Sequence, residues 1–194
     1  IVGDGMKQNC GVAGKFLDSL SQRGINILAI AQGSSERSIS VVIGGEFGDI
    51  AVRAAHLFFF NTAQPIEVFA FGAGTIGGAL LDQIRDQHDK LLEQNIDIKV
   101  CAISTLDGMI LDGNGIDLSN WRELSKQAKE KASVDEILEF VRDTKPLNPV
   151  FVDCTASYDL PNRYLDIFKA GMSIATPNKR ANSMSMEFYH QLRE

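Results

Sequence analysis

Ile66 to Phe71 is an almost unbroken apolar run, and Gly72-Ala73-Gly74-Thr75-Ile76-Gly77 follows it at once. Such a run predicts a strand buried on both faces of a parallel sheet. Leu80, Leu81 and Ile84 then recur at helical spacing, so the glycines mark a strand-to-helix turn. This junction constrains the fold more than any other feature, because a parallel strand needs a crossover and helices to cover both sheet faces. It constrains the chemistry as well. The first glycine permits the tight turn, the second lets a pyrophosphate approach the backbone, and the third lets helix and strand pack closely. The helix N-terminus adds unpaired N–H groups and a partial positive charge. A glycine-rich turn without a ligand is the plainer alternative, and the strand–turn–helix context weighs against it.

The pattern beyond the turn repeats the alternation. Ile96, Ile98, Val100 and Ala102 predict a second strand. Ser133-Val134-Asp135-Glu136 is a capping-box signature that opens a helix with Val134, Ile137, Leu138 and Val141 on one face. Val150 to Asp153 reads as a third strand, Leu160 to Ala170 as a helix ended by Gly171, and Met172 to Ala175 as a fourth strand. The fold class is α/β, and residues 63–194 are expected to form a Rossmann-like doubly wound parallel sheet.

The first 62 residues read differently. Val12, Phe16, Leu17 and Leu20 predict a helix closed near Gly24, Ile25–Ile30 and Ile39–Ile43 predict strands, and Ile50, Ala54, Leu57 and Phe58 predict a second helix. The polar stretch 33–37 is the turn between the strands. This order predicts a partial α+β sandwich with a strand missing in front, and the break over 61–65 is the expected domain boundary. The chain starts without Met and ends in a helical pattern, which reads as a piece of something larger.

Composition narrows the function classes. A net charge of −6 argues against a nucleic-acid groove, and no stretch approaches the apolar length of a membrane helix. Three scattered cysteines without a CxxC fit reduced thiols in a cytosolic protein, and three scattered histidines give no metal cluster.

Ligands in open α/β sheets sit at the carboxyl ends of strands, so the strand tips carry the candidate chemistry. The second strand ends at Ser104-Thr105 with Asp107 a little beyond. No carboxylate stands at the tip to grip a ribose 2′-hydroxyl and no Arg stands there to bind a 2′-phosphate, so NAD and NADP are both admissible. Asp153-Cys154-Thr155-Ala156-Ser157 puts small hydroxyls on the nicotinamide side, where Asp153 reads either as a functional group or as a simple cap. Thr176-Pro177-Asn178-Lys179 puts a lysine at the next tip, a solvated charge or an active-site residue. Asn26 and Gln32 flank a strand in the first unit, where ordinary turn chemistry also explains them.

Together these motifs resemble a known family. Gln32-Gly33-Ser34-Ser35-Glu36-Arg37-Ser38, following Gly24-Ile25-Asn26-Ile27, resembles the second ACT regulatory domain of aspartokinases. Phe71 to Gly78, Val152-Asp153-Cys154-Thr155 and Ala175-Thr176-Pro177-Asn178-Lys179-Arg180-Ala181-Asn182 resemble the cofactor domain of homoserine dehydrogenase. Their order is that of the bifunctional aspartokinase–homoserine dehydrogenases, threonine-sensitive bacterial type. The resemblance implies interconversion of homoserine and aspartate-4-semialdehyde with NADP or NAD. It implies cofactor contacts from Gly72, Ala73, Gly74, Thr75, Ile76, Gly77, Ser104, Thr155 and Lys179, with Lys179 also catalytic. Asn26 and Gln32 match effector positions, with threonine the expected inhibitor, a homo-oligomer the expected assembly and the cytoplasm the expected location. The kinase domain and the substrate domain of that family are not in this sequence. The competing readings are a non-catalytic amino-acid and nucleotide sensor, and a hydroxy-acid dehydrogenase, which would need a histidine near its substrate.

Overall fold

The computed structural model describes residues 1–4, 6–33, 37–60, 63–128 and 133–193. They form two compact units, Ile1–Gln64 and Pro65–Glu194.

In the first unit, helix α1 (Val12–Ser21) buries Phe16 and Leu20, and Gly24 at φ 64° closes its exit. Strands β1 (Ile27–Gln32) and β2 (Ile39–Ile43) pair antiparallel. The first strand starts two residues later than its pattern predicts, because Ile25 donates its N–H to the Leu20 carbonyl and turns into the core. Val2 bridges Ser38 beside β2. Helix α2 (Gly48–Phe59) contributes Ala51 and Ala54 to the packing. The expected turn residues 34–36 and the boundary residues 61–62 lie outside the described residues.

The second unit is a five-stranded sheet in the order β5-β4-β3-β6-β7. Its strands are β3 (Gln64–Phe71), β4 (Ile96–Ser104), β5 (Met109–Leu111), β6 (Pro149–Asp153) and β7 (Ser173–Ala175). The β3/β6 and β6/β7 pairs are parallel, while β5 pairs antiparallel with β4 and departs from the all-parallel expectation. Helices α3 (Thr75–Asp86) and α5 (Trp121–Gln127) pack on one face, where Leu81, Ile84 and Trp121 meet Val68, Ala70 and Val100. Helices α6 (Val134–Thr144) and α7 (Tyr164–Lys169) pack on the other, where Ile137, Val141 and Ile167 meet Phe69 and Phe151. Successive β3 residues thus enter opposite cores, which is why the run lacks polar alternation. Ser133 caps α6 by accepting from the Glu136 N–H at 3.4 Å. The predicted helix over 160–170 begins instead as a 3-10 turn at Leu160–Arg163. Two short helices complete the unit, α4 (His88–Glu93) and α8 (Met186–Gln191).

From β3 the chain passes first to β4 on one side and later to β6 on the other. The strand order therefore reverses between β3 and β6, and at such a switch point the loops diverge and leave a crevice at the carboxyl ends.

Candidate functional site

The crevice is built first from backbone. Gly72 sits at φ 93°, and a Cβ there would lie 2.7 Å from Thr155 Cγ2. Its N–H and that of Ala73 both donate to the Ser104 carbonyl at 3.0 Å, tying the β3 turn to the β4 tip. A Cβ on Gly77 would fall 2.0 Å from the Gly72 carbonyl oxygen, so this glycine is what lets α3 enter so close to its strand. Gly74 differs, because no atom lies within 4 Å of its Cβ position. It precedes α3, and no side chain caps that helix. An uncapped N-terminus facing open space leaves N–H donors for an anion.

A cavity of about 750 Å³ spans this edge. Its walls include Gly72, Ala73, Gly74, Ser104, Thr155 and, from α5, Trp121, Arg122 and Lys126. The sequence pattern missed α5, so the statement that no Arg stands near the β4 tip is corrected: Arg122 lines the same cavity. Asp82 of α3 holds it through Nη1–Oδ1 at 2.9 Å and Nη2–Oδ2 at 2.5 Å, while the guanidinium lies 4.4 Å above the Trp121 ring. Trp121 Nε1 also donates to Asp82 at 3.1 Å. The Arg122 hydrogen bond first, and that of Trp121 next, hold the Asp82 carboxyl down at about 2.

The β6 and β7 tips are joined by side chains. Asp153 is fully buried, and its Oδ1 accepts from the Thr155 N–H and Oγ1–H, both at 2.7 Å. Its Oδ2 accepts from Tyr164 Oη at 2.6 Å and Asn178 Nδ2 at 3.1 Å. Thr176 Oγ1 donates to the Asp153 carbonyl at 2.7 Å. Burial, and then the bond to Asp153, pushes the Tyr164 phenol up, so it remains a donor at neutral pH. Burial likewise raises the Cys154 thiol and takes Cys101 to about 11, which disfavours the thiolate at both.

Residues 72–194, more than half of the chain, match the family model described as the homoserine dehydrogenase NAD-binding domain. The chain belongs to the homoserine dehydrogenase family. Residues 1–59 match an ACT domain. The chain is 41% identical over its whole length to a bifunctional aspartokinase/homoserine dehydrogenase of Haemophilus influenzae, and 42% identical to a chloroplastic one of Arabidopsis thaliana. It spans 24% and 21% of the lengths of those two proteins. Among solved structures, homoserine dehydrogenase from Thermoplasma acidophilum aligns over 66% of this chain and 40% of its own, with a TM-score of 0.53 at 20% identity. A hyperthermophilic archaeal homoserine dehydrogenase in complex with NADPH aligns over 66% and 41%, with a TM-score of 0.51 at 21% identity. Both share the fold of the second unit.

A nicotinamide dinucleotide, NAD or NADP, fits what the homoserine dehydrogenase unit offers. The open position at Gly74 and the uncapped α3 suit the pyrophosphate, and the cavity is large enough for a nucleoside beside it. Ser104 is buried, with its carbonyl already taken by the glycine turn. Thr75 and Ile76 lie exposed in the first turn of α3. Thr155 lines the cleft, but its hydroxyl turns inward: it donates to Asp153 and accepts from the Ser157 N–H at 3.1 Å. Lys179 is exposed beyond the β7 tip, and no ion pair holds it among the described residues. The fold thus gathers the glycine turn, Ser104 and Thr155 around one cleft, with Lys179 on the same sheet edge. It does not gather Asn26 and Gln32. They bracket β1 at opposite ends, about 20 Å apart at strand rise, too far to grip one threonine within one chain.

Proposed function

We propose that this chain supplies the cofactor-binding part of a homoserine dehydrogenase, with an ACT regulatory neighbour, in a protein that also carries aspartokinase. The reaction is NAD(P)-dependent interconversion of homoserine and aspartate-4-semialdehyde, within synthesis of amino acids from aspartate. The observation that carries this reading is the shared carboxyl edge, where an anion-ready glycine turn stands at the switch point and an exposed lysine lies two strands away in the same sheet. A bound nicotinamide supplies the hydride acceptor and donor. The Gly74–Gly77 backbone holds the pyrophosphate, Thr155 and Gly72 shape the nicotinamide end, and the Lys179 ammonium polarises the semialdehyde carbonyl or stabilises the alkoxide that develops from homoserine.

The competing sensor reading gives Lys179 no task. In the complete protein carrying this chain, Lys179→Ala is expected to lower kcat for homoserine oxidation by about 100-fold or more, the scale of losing one electrostatic stabiliser. NADPH affinity, read by nucleotide fluorescence, should change by only a few-fold. Parallel loss of both would remove the catalytic role. The ACT match supports amino-acid control, and the Gln32-Gly33 resemblance favours threonine as effector. Because Asn26 and Gln32 lie far apart in one chain, a site using both draws them from two copies, which fits a homo-oligomer. Three scattered cysteines without a CxxC favour the cytoplasm.

A further inference from the structure

We infer that Asp153 is a positioning residue for hydride transfer, its buried carboxylate setting the Thr155 loop and the Asn178–Lys179 segment in register with each other. This rests on the homoserine dehydrogenase reading above.

A simple turn cap needs one oxygen. Oδ1 meets that need, taking the N–H and hydroxyl of Thr155 two residues on. Oδ2 does something a cap does not, reaching Tyr164 on α7 and Asn178 beyond β7. Burying a carboxylate is costly unless its acceptor sites are filled. Here four donors fill them, and among the described residues no Lys or Arg pairs with it. A fully satisfied buried network of this kind fixes one geometry rather than several.

The geometry it fixes concerns Lys179. Asn178 Nδ2 also donates to the Ser157 carbonyl at 3.1 Å, and Asn178 Oδ1 accepts from the Arg180 N–H at 3.1 Å. The Arg180 guanidinium lies over the Tyr158 ring. The residues on both sides of Lys179 are therefore pinned to the β6 loop, while its own side chain stays exposed. Thr155 in turn abuts Gly72, its methyl 2.7 Å from where a Cβ on that glycine would lie. One carboxylate thus aligns the β6 and β7 tips and, through Thr155, meets the β3 turn.

Asp153→Asn in the complete protein tests this. An amide faces at least one donor with another donor, and when its nitrogen turns to Oδ2's partners it repels Asn178 Nδ2. A displacement of about 1 Å at a reacting group costs on the order of 100-fold in rate, so kcat for homoserine oxidation should fall by about that factor. NADPH affinity should stay within about threefold, since α3 and Gly74 are untouched. Tyr164→Phe keeps the carboxylate and removes one donor; kcat should fall several-fold at unchanged NADPH affinity. It decides the matter if Asp153→Asn does not fold. Unchanged kcat in Tyr164→Phe, or loss of kcat and NADPH affinity together in Asp153→Asn, overturns the inference. A wild-type protein that binds NADPH but does not oxidise homoserine overturns the functional reading itself, and the inference with it.

Discussion

The carboxyl edge of the five-stranded sheet is built in two opposite ways. At the β3 end, side chains are left out: Gly72, Gly74 and Gly77 bring backbone close to backbone, and α3 begins with no cap. At the β6 and β7 ends, side chains are packed in, and Asp153, Thr155, Tyr164, Thr176 and Asn178 satisfy one another. Under the proposed function, the difference follows from what each end would have to do. A phosphate brings its own charge, so the protein there needs unpartnered N–H groups and empty space. A reacting carbonyl would need one group held in place, and there the polar atoms satisfy one another while exposed Lys179 has no ion pair among the described residues.

Two glycine substitutions split this comparison at its sharper end. Gly77→Ala should have the largest effect, because its Cβ meets the Gly72 carbonyl at 2.0 Å and backbone has little room to yield. Overpacking of this kind costs roughly 3 kcal/mol, and thermal unfolding should show a Tm several degrees lower together with lost cofactor binding. Gly74→Ala should separate the two properties. Its Cβ meets no protein atom, and replacing a glycine before a helix costs at most about 1 kcal/mol. NADPH affinity should nevertheless weaken about tenfold, on the order of 1.4 kcal/mol, if the pyrophosphate occupies that space. A Gly74→Ala protein that binds NADPH as tightly as wild type would break the comparison, since the turn's openness would then serve nothing.

What could be read from the sequence follows the same division. The glycine turn, β3, α3 and the capped α6 were legible because each is written in consecutive residues: an apolar run, a glycine spacing, Ser133 three places before Glu136. The side-chain network was not. Asp153 could be placed at a strand tip but not told from a cap, because its deciding partners stand 11 and 25 residues away. Thr155 lines the cleft, yet its hydroxyl turns inward to Asp153, which its place at a strand tip does not reveal. The cleft's far wall was missed because α5 is only seven residues long, too short for helical periodicity to declare itself. The three-residue β5 escaped likewise, and with it the antiparallel edge.

The smallest effect concerns a second carboxylate, and it sharpens the contrast with Asp153. Asp82 lies on the glycine-turn side of the cleft, solvent-accessible and held by cations, with Arg122 and Arg85 donating to it alongside Trp121. Its carboxyl sits at about 2 in the folded chain against an ordinary 3.8, so the folded state prefers it ionised. That preference adds stability above the ordinary value and loses it as pH falls through about 2. Exposed pairs of this kind contribute little and are screened by salt. Asp82→Asn should therefore lower Tm slightly at pH 7, with the gap narrowing below pH 3.8 and closing near pH 2, and shrinking further at high salt. It should leave homoserine oxidation unchanged at saturating cofactor. A gap that widened in acid would mean that Asp82 is protonated in the folded state, and the α3–α5 wall of the cleft would then rest on Trp121 packing rather than on charge.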